Sequence, residues 1–348
     1  MEYEIHEDIV IVGAGIAGLS TALGLHRLGI RSLVLESSDV LRIVGFALTM
    51  WTNAWRAADA LGIGDSLRAT SFRLQGIKLC YRNPSLRSQQ QAHSVDHKFD
   101  KSESRCVRRK DLLETLEREL PQGTIRYSSR IVSIEESGRL KLLHLADGTV
   151  VRTKVLIGCD GANSMVAKWL GLQSPVNAGR SAIRGFVDYM DGHGFEPKWH
   201  TYISGDVRYG FMPCDHKSIY WFCSFAQSLF KSGDALHPMT PDIGQGGCSS
   251  LEDSIILARC LGEALLAKRT CNDKGKDKDY VMIEKGLEKY SRERRWRSFS
   301  LISTTYVVGR IRESDSKVIS FLKKNLSRYL DGIYERMAAF DCGKLIVS

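Results

Sequence analysis

The stretch from Asp8 to Glu36 constrains the fold more than any other part of the chain. An apolar, β-branched run at residues 9–12 predicts a strand, and apolar residues at helical spacing over 19–28 predict a helix. Between them lies the pattern G-x-G-x-x-G, formed by Gly13, Gly15 and Gly18. The order of strand, tight turn and helix is typical of a dinucleotide-binding unit, in which phosphates lie at the positive end of the helix.

Each glycine of this turn has a physical role. Gly13 permits the turn, Gly15 lets a pyrophosphate approach the backbone, and Gly18 lets the helix pack closely on the strand. Ala17 belongs to the same predicted cofactor-binding turn. A second strand is predicted over 31–35, and Glu36 follows it 23 positions after Gly13. That spacing is close to the one at which an acid accepts hydrogen bonds from ribose hydroxyls, so we expect an adenine dinucleotide.

The same stretch allows two other interpretations. A glycine turn by itself is also typical of an ordinary strand-to-helix connection, but the second strand and its terminal acid favour the dinucleotide. The apolar run over 9–25 has the hydropathy of a membrane anchor or signal peptide. Glycines interrupt it and acids rather than bases precede it, so we expect neither. The preceding acids are Glu2, Glu4, Glu7 and Asp8.

Composition limits the remaining possibilities. A chain of 348 residues can bury a large core and form two lobes. Its nine cysteines are dispersed without C-x-x-C spacing, which predicts reduced thiols, a cytoplasmic location and no metal site. The net charge of +9 includes the run Arg292, Arg294, Arg295 and Arg297. This run is typical of a solvated helix face, or it attracts an anionic ligand. No nucleic-acid module is recognisable.

Hydrophobic periodicity gives the order of elements along the chain. Helices are predicted up to Leu61 and over 109–120, 249–267 and 279–309. Residues 83–100 are polar and predicted to be a mobile loop. Strands are predicted over 74–81, 124–127, 131–136, 140–145, 150–154 and 155–158, and an antiparallel sheet over 182–189, 199–203, 207–212 and 218–225.

Two more motifs sit at the ends of predicted strands. The first is VLIGCDGANSMVAKWLG at 155–171, and the second is GDALHPMTPDIGQGG at 233–247. With the opening motif, and with CVRRKDLLETL at 106–116 and RERRWRSFSLISTTYVVG at 292–309, they resemble the class A FAD-dependent aromatic monooxygenases, the para-hydroxybenzoate hydroxylase-like family. The resemblance is strongest to the plant branch related to zeaxanthin epoxidase and salicylate hydroxylase.

The resemblance implies an α/β fold in which two domains are interleaved. A Rossmann-like FAD-binding domain would comprise residues 1–73, 101–180 and 226–348, including a helical C-terminal segment. A smaller antiparallel-sheet substrate domain would comprise residues 74–100 and 181–225. The cofactor implied is FAD, with NAD(P)H as co-substrate.

The same resemblance implies roles for residues outside the opening motif. Asp234 would accept a hydrogen bond from the ribityl chain of FAD, and Gly233 would let the backbone come close. Arg109 would contact FAD, with Arg108 as the alternative register. Asp160 and Gly161 would take part in binding both FAD and NAD(P)H. Pro238 would line the reacting face of the flavin. The helix after Gly244, Gln245, Gly246 and Gly247 would direct its positive end at the flavin's pyrimidine edge.

The implied reaction needs no catalytic triad. NAD(P)H reduces FAD by hydride transfer, O2 forms a flavin C4a-hydroperoxide, and this oxygenates a small organic substrate, aromatic or terpenoid-like. Four ring-bearing side chains on the predicted sheet either line a substrate pocket or belong to the core: Tyr189, His200, Tyr202 and Tyr209. His237 is either a packed loop residue or a flavin contact.

Two departures from the family pattern affect function. Lys168 stands where the family usually has arginine, and a lysine cannot make the same planar, bidentate contact with NAD(P)H. Asp160 and Asp234 are 74 positions apart, several dozen fewer than in the family. We therefore predict a deletion between Phe225 and Gly233, leaving an exposed apolar patch at 219–225. The alternatives to a working monooxygenase are an impaired flavin-binding or regulatory protein and an uncoupled NAD(P)H oxidase.

Overall fold

The chain folds around two six-stranded sheets connected by helices. The computed structural model describes residues 4–43, 45–82, 93–99, 102–173, 180–204, 207–226, 245–270, 276–313 and 335–345. Its strands are β1 (Glu4–Val12), β2 (Leu33–Leu35), β3 (Ala47–Met50), β4 (Phe72–Arg73), β5 (Gly76–Arg82), β6 (His93–Lys98), β7 (Arg105–Arg108), β8 (Ile125–Arg126), β9 (Ile131–Ser137), β10 (Leu140–Leu145), β11 (Val150–Gly158), β12 (Arg180–Asp188), β13 (Lys198–Ser204), β14 (Val207–Pro213) and β15 (Ser218–Ala226). Its helices are α1 (Ile16–Arg27), α2 (Thr52–Leu61), α3 (Gly64–Thr70), α4 (Arg109–Arg118), α5 (Met165–Trp169), α6 (Gly246–Thr270) and α7 (Lys276–Glu313). The predicted α/β class is confirmed.

The first sheet has the order β8-β2-β1-β11-β10-β9, and its strands from β8 to β11 run parallel. The carboxyl ends of these four strands therefore meet at one edge, where the predicted cofactor residues follow β1, β2 and β11. Pairing between β1 and β11 extends from Glu4 beside Val150 to Val12 beside Gly158. The prediction of two separate strands over 150–158 is wrong, because β1 is longer than expected and its backbone groups need a partner throughout.

The second sheet has the order β12-β15-β14-β13-β5-β6 and is antiparallel except for the pair β13 and β5. Its strands β12 to β15 lie where the sequence predicted them. The prediction of a loop over residues 83–100 is wrong at its end, because β6 pairs with β5. An edge strand is held by backbone hydrogen bonds and tolerates polar side chains, so the sequence HSVDHK carried no clear strand signal. Residues 83–92 lie outside the described part.

A bare apolar patch was predicted at residues 219–225, and this prediction is wrong, because none of these residues is exposed. Ile219 and Tyr220 are only 4% and 7% exposed. On β15, which lies between β12 and β14, Tyr220 and Phe222 pack against the main hydrophobic core, and this packing covers that face of the strand. The exposed apolar side chains of this sheet lie on those two neighbours instead: Ile183, Val187, Val207 and Tyr209.

Helices α1 and α6 cross closely because small residues lie between them. A Cβ on Gly24 would stand 2.8 Å from the Cβ of Ala258, and Ser20 shares a 2.7 Å hydrogen bond with Ser254. A Cβ on Gly262 would stand 2.5 Å from Leu28. The contacts advance by four residues along both helices, so the helices run parallel and begin at the same end of the molecule.

Two cysteines depart from the predicted reduced state. Cys106 and Cys214 form a disulfide, with Cα atoms 4.9 Å apart. The prediction of reduced thiols is wrong for this pair, because folding joins residues 108 positions apart, which sequence spacing does not reveal. The other described cysteines take part in no disulfide within the described residues: Cys80, Cys159, Cys223, Cys248, Cys260 and Cys342. Within the described residues, no helix combines the length and apolar character needed to span a bilayer.

Candidate functional site

In the turn between β1 and α1, the packing of the protein itself requires glycine at two of the three glycine positions. Gly13 has φ +100°, and a Cβ there would stand 2.5 Å from the carbonyl oxygen of Cys159. A Cβ on Gly18 would stand 1.9 Å from the carbonyl oxygen of Gly13. Among the described residues, and apart from its own chain neighbours and helix backbone, Gly15 in contrast has no heavy atom within 4 Å of its Cβ position. The turn therefore leaves open space at the N-terminus of α1, where a phosphate would be favoured.

Glu36 is fixed at the edge of this open space. It follows β2 and is buried, and one carboxylate oxygen accepts a 2.8 Å hydrogen bond from the backbone N–H of Ala14. The other oxygen accepts hydrogen bonds from the N–H of Ser38 and the hydroxyl of Ser37, at 2.9 and 3.2 Å. A carboxylate offers about four lone-pair sites, so this one can also accept from a ribose hydroxyl.

Arg109 is a half-buried cation to which the described residues offer no acidic partner. It begins α4, and its backbone N–H donates to the carbonyl of Phe46 at 3.1 Å. Its buried Nε has no hydrogen-bond partner in the described part of the chain. Its side chain passes over Gly45, whose Cβ would stand 2.8 Å from the Cδ of Arg109.

Electrostatics favour an anion at Arg109. Burial lowers the pKa of Arg109, and the nearby charges of Arg42 and Arg184 lower it further. A bound anion would offset both effects. Arg108 is different, because its guanidinium donates to Asp215 and Ser218. Arg108 is thus engaged within the protein, whereas the Nε of Arg109 has no partner in the described part of the chain.

Asp160 and Gly161 follow β11 and lie against the glycine turn. The Cα of Asp160 is 3.0 Å from the Cβ position of Gly13. The Asp160 carboxylate accepts from the N–H of Met165 at 2.6 Å and from the hydroxyl of Ser164 at 2.5 Å, so it is occupied by its own loop. Gly161 has φ +77° and open space at its Cβ position. The carboxylate therefore shapes the turn beside the glycine motif.

Gln245, Gly246 and Gly247 form the start of α6. The buried Gln245 accepts the N–H of Ser249 on its backbone carbonyl at 2.8 Å, which places it at the helix N-cap. A Cβ on Gly247 would stand 2.7 Å from Leu48, whereas Gly246 has open space. The predicted site residues Gly233, Asp234, Pro238 and Gly244, and also His237, lie outside the described residues.

The sequence assigned four ring-bearing side chains either to a substrate pocket or to the core. The structure places them in two different settings. His200 stacks on Phe211 at 4.5 Å and Tyr202 on Tyr209 at 5.1 Å between ring centroids, so these rings form cross-strand pairs. Burial and Lys78 lower the pKa of His200, which favours the neutral ring. Tyr189 instead lines an open cleft of about 460 Å³ together with Arg108, Asp188, Met190, Asp215, Lys217 and Ser218.

Sequence reasoning missed a buried charged cluster behind the start of α6. Glu252 is fully buried and paired with Arg294 and Arg297. The interpretation of the arginine run as a solvated face holds for Arg292 and Arg295, which are exposed. Arg294 and Arg297 are three positions apart and so share one helix face, a spacing that could have indicated a common buried partner.

The residues present fit FAD. A helix N-terminus with open space at Gly15, an acid placed for a ribose, and a desolvated arginine without an acidic partner suit a dinucleotide with a pyrophosphate. The matching donor set is formed by the chain's own backbone amides, Glu36 and Arg109.

Comparison with known proteins agrees with this geometry. A family model described as FAD binding domain matches residues 6–229. Monooxygenase 2 of Arabidopsis thaliana is 43% identical, with 99% of this chain and 100% of the relative covered. Monooxygenase 1 of the same plant is 34% identical, with coverages of 97% and 99%. The alignment with Monooxygenase 2 runs over 409 positions, which exceeds the 348 residues of this chain by 61.

Solved structures show the same fold. The HpxO protein of Klebsiella pneumoniae, complexed with FAD and uric acid, has a TM-score of 0.73 at 20% identity, with 96% of each chain covered. PqsL of Pseudomonas aeruginosa, titled a probable FAD-dependent monooxygenase, has a TM-score of 0.71 at 18% identity, with 89% of this chain and 97% of PqsL covered. From the family model and the plant relatives together, the chain belongs to the class A FAD-dependent monooxygenases, which are oxidoreductases.

Proposed function

We propose that this chain uses NAD(P)H and O2 to hydroxylate or epoxidise a small organic substrate, aromatic or terpenoid-like. The observation that carries the proposal is the open space at Gly15, bordered by the fixed carboxylate of Glu36. Bound FAD would supply hydride acceptance and oxygen activation. The contribution of the protein is to bind, orient and shield that cofactor.

The described residues divide the binding work by charge. The N-terminus of α1 and the Arg109 guanidinium would hold the pyrophosphate, and Glu36 would accept the ribose hydroxyls. The first amides of α6, after Gln245, would donate to the electron-rich edge of the flavin. We assign to the same site Ala17, Asp160, Gly161, Gly233, Asp234, Pro238 and Gly244, on the family resemblance.

The predicted division into two domains assigns the substrate to the second of them. We propose that residues 1–73, 101–180 and 226–348 bind the cofactor and that residues 74–100 and 181–225 hold the substrate. The second sheet directs Trp199, Tyr220 and Phe222 into the main core region, and these side chains form an apolar wall. Such a wall excludes water from an oxygenating site, which limits loss of activated oxygen as H2O2.

The experiment that tests the proposal combines a spectrum with a stoichiometry. Purified protein should carry flavin absorbance bands, and a substrate should accelerate NAD(P)H oxidation with one oxygenated product per NAD(P)H consumed. A protein that neither carries nor takes up FAD would refute the proposal. Separate assays with NADH and NADPH would identify the co-substrate.

An uncoupled or impaired protein is the alternative outcome of the same assays. The alignment with Monooxygenase 2 leaves at least 61 gap positions in this chain. An uncoupled oxidase would convert NAD(P)H to H2O2 in equal amounts whatever compound is added. A regulatory protein would bind FAD and show neither reaction.

A further inference from the structure

The carboxylate of Glu252 accepts hydrogen bonds from donors on two other elements, α2 and α7. Glu252 lies in the second turn of α6 and is fully buried. One carboxylate oxygen accepts from Asn53 Nδ2 at 2.5 Å and from an Arg297 terminal nitrogen at 2.7 Å. The other accepts from Arg294 at 2.8 Å and from Arg297 Nε at 3.2 Å. A buried charge with several charged donors holds a single geometry.

Asn53 connects this cluster to the start of α6. Its Nδ2 also donates to Gln245 Oε1 at 2.9 Å. That bond fixes the orientation of the Gln245 amide, because Asn53 offers a donor and so selects the oxygen of the glutamine. The remaining Gln245 donor, Nε2, is buried and has no partner in the described part of the chain, although Gln245 is only 1% exposed. A buried donor without an acceptor costs roughly 1–3 kcal/mol.

The other end of the cluster holds the C-terminal segment, residues 335–345. Arg297 donates to the carbonyl of Met337 at 2.6 Å, and its guanidinium lies 4.6 Å from the ring centroid of Phe340. Arg259 donates to the carbonyl of Cys342 at 2.5 Å, and Arg56 donates to that of Ala339. Arginines of α2, α6 and α7 thus bind the backbone carbonyls of the C-terminal segment.

We propose that Asn53, Glu252 and Arg297 are positioning residues that couple docking of the C-terminal segment to Gln245, whose Nε2 donates to an acceptor atom of the bound cofactor. This rests on the proposed function, since it places the flavin at the start of α6. The chain of contacts runs from Met337 through Arg297, Glu252 and Asn53 to Gln245, without a gap between hydrogen bonds. The unpartnered Nε2 is the end of that chain, and a carbonyl oxygen of the cofactor completes it.

The test compares two arginines on the same helix. Arg297→Met removes a donor to Glu252. Arg295→Met removes an exposed charge two positions away and serves as the matched control. We expect Arg297→Met to weaken FAD binding to apoprotein about three- to tenfold, the worth of one such hydrogen bond. Arg295→Met should bind as the parent does. Arg297→Lys should recover part of the affinity, because lysine reaches Glu252 but lacks the planar fork.

Two further measurements do not depend on turnover. Hydrogen exchange of the amides at 246–249 in apoprotein should speed up in Arg297→Met and stay unchanged in Arg295→Met. Gln245→Glu, which replaces the free donor by a carboxylate, should make the reduction potential of bound FAD more negative, because a negative charge disfavours the reduced flavin. If Arg297→Met fails to fold, Phe340→Ala replaces it, since this change removes the ring over Arg297 and leaves Glu252 paired with both arginines.

The outcomes separate the two proposals. If the parent binds FAD, and Arg297→Met matches Arg295→Met in FAD affinity and in amide exchange, the coupling is wrong and the proposed function stands. If the parent binds no FAD, the proposed function and the role of Gln245 Nε2 both fail, and the exchange data alone decide whether the coupling to the C-terminal segment exists. Unchanged potential in Gln245→Glu would overturn the assignment of Nε2.

Discussion

The three glycines of the opening turn are required for different physical reasons. Gly13 and Gly18 are needed by the protein itself, because a Cβ at either position would overlap a backbone carbonyl oxygen. Gly15 has φ −80° and open space around its Cβ position, so the folded chain alone tolerates a side chain there. The lack of a side chain at Gly15 therefore matters only when a ligand occupies that space.

Substitution by alanine should therefore separate stability from binding. Gly15→Ala should change the free energy of unfolding by less than about 1 kcal/mol, since alanine adopts this backbone conformation. It should weaken FAD binding at least about tenfold by displacing the pyrophosphate. Gly13→Ala should lose both stability and binding. Urea unfolding of apoprotein and flavin fluorescence titration check the pair, and equal FAD affinity in Gly15→Ala and parent would contradict the expectation.

At individual residues, the sequence predicted backbone roles better than side-chain partners. The roles of Gly13 and Gly18 follow from local geometry, which a motif encodes. The engagement of Asp160 by Met165 and Ser164 was not foreseen, although the partners are adjacent in sequence. The pairing of Glu252 with Arg294 and Arg297 was not foreseen either, because it depends on how α6 packs against α7.

Among the elements, the parallel pair α1 and α6 sets the geometry of the site. Each helix begins at a predicted phosphate or flavin contact, and their separation is fixed by the small residues at the crossing. The sequence predicted both helices and their approximate ends. It did not predict their contact, because the constant spacing between Ser20 and Ser254, and between Gly24 and Ala258, becomes visible only in three dimensions.

Enlarging a residue at that crossing should disturb both helices. Gly24→Leu adds four carbons, and the first of them, Cβ, would stand 2.8 Å from the Cβ of Ala258. We expect a loss of about 1–3 kcal/mol in the free energy of unfolding, as for other overpacked cores. Gly15→Ala, at a glycine with φ −80° and open space at its Cβ position, controls for replacing a glycine elsewhere. Urea denaturation measures both, and a loss in Gly24→Leu no larger than in the control would contradict the close contact.

For the whole molecule, buried thiols make the free energy of unfolding depend on pH in the alkaline range. Burial raises the pKa of Cys248 to about 12 and the pKa values of Cys260 and Cys342 to about 11. In the unfolded chain, thiols ionise near about 8.5. Above that pH the unfolded state binds fewer protons than the folded state, so the free energy of unfolding falls as pH rises toward the folded pKa values.

The expected slope is about 1.4 kcal/mol per pH unit for each such thiol. Urea unfolding at pH 8 and pH 10, without reductant and under argon, measures it. Cys248→Ala should reduce the loss between the two pH values by one thiol's share, and the difference isolates Cys248 from lysines and tyrosines that titrate in the same range. An identical pH dependence in parent and variant would contradict the raised pKa of Cys248.

The contact between Gly13 and Cys159 has a consequence for how each molecule is made. The floor of the glycine turn is the backbone of Cys159, whose N–H donates to the carbonyl of Val12 at 2.8 Å. During synthesis the glycine motif leaves the ribosome long before β11 exists to support it. Cofactor capture is therefore a late event in the life of the chain, and a nascent or clipped fragment that ends before β11 carries the motif without the site.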